Sequence, residues 1–164
     1  MKQISVVGLM AILFFNANFV KADTYLPKQS ELINKFQSLN LVQQNQWQDA
    51  KSDSGMKLKT AQVGHDAYSI SDNAVSAIMM LPGKDSKVEG AHVVSVCSSL
   101  ASVVMPKVEL EQLNSIKNVI VKSAMNMGSA ENDLVNGYMF SAKALAFDST
   151  PVIACKIEGF VTWN

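Results

Sequence analysis

The first 22 residues constrain this chain most, because they decide the compartment in which the rest folds. Lys2 is an early cation, Ile4 to Phe15 is a short apolar run, and Val20-Lys21-Ala22 ends in small residues. That order is the pattern of a secretory signal, with cleavage expected between Ala22 and Asp23. The run is about a dozen residues, short of the roughly 20 that span a bilayer as a helix. Asn16 and Asn18 interrupt it; a retained anchor is the alternative. The expected mature protein is 23–164, periplasmic or secreted, and not held in a membrane once the signal is gone.

Export changes what the cysteines mean. Both Cys97 and Cys155 lie beyond the signal, and an even pair in an oxidising compartment forms a disulfide. The closed loop of about 59 residues would contribute about 4 kcal/mol in the chain-entropy model. No C-x-x-C spacing is present to lower a thiol pKa, so the bridge reads as structural.

About 142 residues suit one domain with a core of its own. Losing Lys2 and Lys21 leaves 12 Lys against 14 acidic groups, a net charge of about −2. Every basic residue is Lys. Without Arg, and without a basic stripe, the chain lacks both the bidentate phosphate-binding group and the electrostatic footprint of a nucleic-acid binder.

Periodicity then sets the order of elements. Leu32, Ile33, Phe36 and Leu39 share a helical face, with Ser30 as its expected cap. Gln43 to Gln48 is a polar stretch anchored by Trp47, where the helix either continues or breaks into a second short one, and Lys51 to Gly55 is loop chemistry. From Met56 to Val63 the period changes to two, giving a strand. Gly64-His65-Asp66 predicts a turn, Tyr68 to Ile70 a short strand, and Ala74 to Leu81 a third strand, with an apolar helix competing. Val93, Cys97, Leu100 and Val104 mark a buried helix over Ala91 to Met105. Leu110, Leu113, Ile116, Ile120, Ala124 and Met127 mark an amphipathic helix stopped at Gly128. Tyr138 to Phe147 and Val152 to Val161 flank a hairpin connection at Asp148-Ser149-Thr150-Pro151. The expectation is one α+β domain of order α-βββ-αα-ββ, with about five antiparallel strands, helices on one face and one disulfide. The central helices argue against an eight-stranded outer-membrane barrel.

Candidate chemistry is sparse. His65 and His92 are the two histidines. His65 with Asp66 is the best catalytic candidate, but no nucleophile is placed beside it; His92 suits a surface or capping role. No ligand spacing suits zinc, and core filling accounts for Met79-Met80 and Met125-Asn126-Met127 better than copper does. Ser54-Gly55-Met56-Lys57 fits S-x-x-K without the companion motifs of the penicillin-interacting serine enzymes. Glu109, Glu111, Glu131 and Asp133 are placed near helix starts, where they complement the macrodipole. No cofactor is implied.

The function this favours is a small exported binding protein without catalysis, with a protein partner in the envelope. An inhibitor or immunity protein against a toxic envelope hydrolase is one such case. The alternatives are a small-molecule or lipid-binding module and a small hydrolase centred on His65. Trp47, Tyr68 and Trp163 are the candidate interaction residues, because aromatic anchors dominate interfaces.

Overall fold

A computed structural model describes residues 24–51, 55–147 and 149–160. The expected signal, Ser54 of the S-x-x-K motif, Asp148 and Trp163 lie outside the described residues. Along the chain come α1 (Gln29–Ser38), a 3-10 turn (Gln44–Gln46), β1 (Gln48–Lys51), β2 (Lys57–Val63), β3 (Asp66–Ile70) and β4 (Ala74–Met80). Two long helices follow, α2 (Ser86–Val104) and α3 (Leu110–Met125), then β5 (Ala130–Val135), β6 (Tyr138–Phe147) and β7 (Thr150–Glu158).

All the strands join one antiparallel sheet of order β1-β2-β3-β4-β7-β6-β5. The class is α+β as expected, but the sheet has seven strands rather than five, and the order is α-ββββ-αα-βββ. Both missed strands are at the edges. β1 reads QDAK and β5 reads AENDLV, and of the two only β5 has a fully buried residue, Val135. Edge strands bury little, so apolar alternation does not reveal them. A turn signal was present for β5: Asn136 and Gly137, at φ 50° and 83°, link Val135 to Tyr138 by the two-residue turn that suits right-twisted strands.

The helices lie on one face. α2 packs on β4 and β7, α3 on β5 and β6, and α1 on α2. The reason is legible in the register. Cys155 of β7 stands between Ala77 of β4 and Ala142 of β6, and these small flanking residues let α2 approach closely. Cys97, one turn before Leu100 and Ala101 on the buried side of α2, closes the disulfide to Cys155 with a Cα–Cα distance of 5.8 Å. Phe36, Ile70, Met79, Leu100, Ile116, Phe140 and Ile157 fill the layer around the bridge and are fully buried. α2 is capped by the Asp85 side chain, which accepts from the Lys87 and Val88 amides. Ser30 is inside α1 rather than capping it; the cap position is Lys28.

Two glycines admit the start of the described chain. Thr24 and Phe160 exchange backbone hydrogen bonds of 2.9 Å, which lays Thr24 across the end of β7. A Cβ on Gly159 would stand 2.6 Å from the Thr24 carbonyl oxygen, and one on Gly137 2.7 Å from the Thr24 hydroxyl.

Candidate functional site

The histidine–carboxylate pair in the structure differs from the one adjacent in sequence. His65 sits with Gly64 in the β2–β3 turn, exposed, and its ring has no partner among the described residues. Asp66 opens β3 with its side chain on the helix-covered face and reaches His92 of α2, whose Nε2 lies 3.1 and 3.0 Å from the two carboxylate oxygens. The carboxylate of Asp66 is thus directed to His92 of α2 rather than to its sequence neighbour His65, which lies in the turn before β3. The Tyr68 hydroxyl, two residues along the same face, lies close enough to Asp66 to feel its charge. Burial pushes the Tyr68 hydroxyl up to about 12, with the negative charge of Asp66 adding to the effect. Asp66, Tyr68 and His92 thus form a polar clasp between β3 and α2.

Tyr68 is 4% exposed and packs edge-on against Phe36, so its ring is part of the core rather than a surface anchor. Trp47 is half-buried and also packs edge-on against Phe36, at a centroid distance of 5.1 Å. The methionines split by strand parity and helix end: Met79 is buried, Met80, Met125 and Met127 are exposed, and no cluster of metal-ligating residues occurs among the described ones. Glu109 does open α3, in a reciprocal capping box with Gln112. Glu131 and Asp133 do not: they lie on β5, a strand the polar sequence concealed.

Three surface grooves have volumes of about 400 to 490 Å³. One is lined by Thr24, Leu26, Asn73, Met139 and Phe160 at the end of β7; the others flank the β1 edge.

The opposite face of the sheet is the feature sequence reasoning missed. Met80, Val152 and Leu145 stand side by side across β4, β7 and β6, and Ile78 with Ala154 forms part of the next row. Ile78 and Met80 are each 43% exposed and Leu145 39%. These are central strands, and no helix covers that side among the described residues. Farther along, the face carries Ser69 and Ser76, whose hydroxyls bond at 2.6 Å, with Lys156 and Ser141 in the same row. A solvated sheet face ordinarily reads polar between buried positions. β4 instead reads AVSAIMM, apolar on both parities over its second half. That unbroken run was the available signal, and it gave β4 two readings, strand or helix.

No family model, curated protein or solved structure matches the chain. Its function therefore has to be argued from these surfaces alone.

Proposed function

We propose that this is an exported protein that works by binding another protein through the open face of its sheet. The observation that supports the reading is that Met80 and Leu145, flanking the buried Val152, and Ile78 in the next row are apolar side chains exposed in the middle of a sheet. A contiguous apolar patch on an otherwise soluble fold marks an interaction surface. The disulfide supports the location, since such bonds persist in the periplasm or outside the cell. No described helix is long and apolar enough to cross a membrane. Within this reading, the case we favour is an inhibitor or immunity protein held against a toxic envelope hydrolase.

The test is capture from envelope extract of the native host on immobilised wild type and on Met80→Lys. The expected result is one protein retained in equimolar amount by wild type and lost from the variant. Recovery of nothing at equimolar level, or equal recovery on both, overturns the reading.

A further inference from the structure

The open face carries one charge with no counter-charge. Lys143 of β6 lies in the row of Ile78 and Ala154, with Ala130 on its other side, and it is half-buried. Lys156, near it on β7, is matched by Glu158 at 2.9 Å. Lys143 forms no ion pair among the described residues.

We infer that the partner of this face presents a carboxylate to Lys143 from within an apolar surface of its own. The inference rests on the binding reading above and adds the partner's chemistry. In the free protein the Lys143 stem can lie along the alanines while its ammonium reaches water. Covering the face removes that water, and a buried charge is tolerated only when paired. The face itself offers two Lys against one Glu, so the counter-charge has to come from outside. A second copy supplies the wrong sign, because stacking two such faces brings lysines together. An anionic bilayer is a poor fit as well, because a single unmatched Lys is drawn to such a surface only weakly.

A zero-length carbodiimide, which couples an amine to a carboxylate in contact with it, reads this directly. Envelope fractions containing the protein are treated, and lysine adducts are mapped by mass spectrometry. The expected result is an amide from Lys143 Nζ to an Asp or Glu of a different protein. It is absent in Lys143→Arg, whose guanidinium does not couple, although that variant still captures the partner. Charge reversal in Lys143→Glu is expected to lower capture by about tenfold or more. Adducts through Lys107 or Lys117 but never Lys143 leave the binding reading standing and overturn this inference. A Lys143 adduct to a second copy of this chain overturns it too. Absence of any intermolecular adduct, together with failed capture by the unmodified protein, removes both.

Discussion

His92 Nε2 sits between both oxygens of Asp66, 3.0 and 3.1 Å away, although 26 residues separate the two in sequence. The contact ties the first third of α2 to the start of β3. Their side chains are 48% and 12% exposed, so the carboxylate is nearly enclosed while the imidazole faces water.

Removing the imidazole takes away that carboxylate's contacts with His92. His92→Ala is expected to cost about 1 kcal/mol, or about 3 °C in Tm for a domain of this size. A double-mutant cycle with Asp66→Asn in urea should return a coupling energy of similar size. A coupling near zero would mean the two side chains meet without stabilising the fold.

Tyr68 makes an alkaline prediction whose sign is fixed. Its folded pKa, about 12, lies above the ordinary value of 10.0, so the folded state holds the proton more tightly than the unfolded chain does. That contribution is fully present below pH 10.0 and is lost as the pH rises toward about 12. Raising the pKa from 10.0 to about 12 corresponds to about 2 to 3 kcal/mol. Urea unfolding across this range should show wild type losing stability relative to Tyr68→Phe, which has no phenol to titrate. Parallel curves for the two proteins would refute the assignment.

Reducing Cys97–Cys155, a bridge of sequence separation 58, should lower unfolding free energy by about 4 kcal/mol. The Cys97→Ala, Cys155→Ala double variant should behave like the reduced wild type and be indifferent to reductant. Coincident urea curves with and without reductant would contradict this.

Gly159→Ala tests how Thr24 is held. The added methyl carbon meets a backbone oxygen at 2.6 Å, which cannot yield as a flexible side chain does. The expected cost is about 1 to 3 kcal/mol. Hydrogen exchange should report it locally, with faster exchange at the Thr24 and Phe160 amides and unchanged protection in α2. Uniform acceleration across the sheet would point to a global effect instead.

Met80→Lys should leave stability within about 0.5 kcal/mol, since exposed positions tolerate polar substitution. Val152→Lys, by contrast, should destabilise, because Val152 is on the same face but 9% exposed. Urea midpoints of the two variants check the pair, and equal losses would mean that Met80 too is packed.

Much of this was legible along the chain. The disulfide followed from an even pair of cysteines, Cys97 and Cys155, and β6 followed from its alternation and bounds, Tyr138 to Phe147. The helices α2 and α3 followed from apolar spacing, because a helix buries one face whatever it packs against. β1 and β5 escaped because an edge strand is recruited by its neighbour's unpaired amides and carbonyls, which no side-chain pattern records.

The candidate sites divide the same way. Local chemistry put Asp66 beside His65, yet the sheet's alternation turned the carboxylate toward a helix 26 residues away. Tyr68 could have been an interface anchor or a packing residue, and the helical layer that covers it makes it part of the core. Residue order by itself determined the class of the fold and its long elements, which depend on short-range periodicity, and the crosslink, which follows from the cysteine pair. Only tertiary structure decided which side of the sheet the helices cover. That choice buried Tyr68 and left Ile78, Met80 and Lys143 facing outward, because strand parity assigns a side chain to a face but not that face to the core.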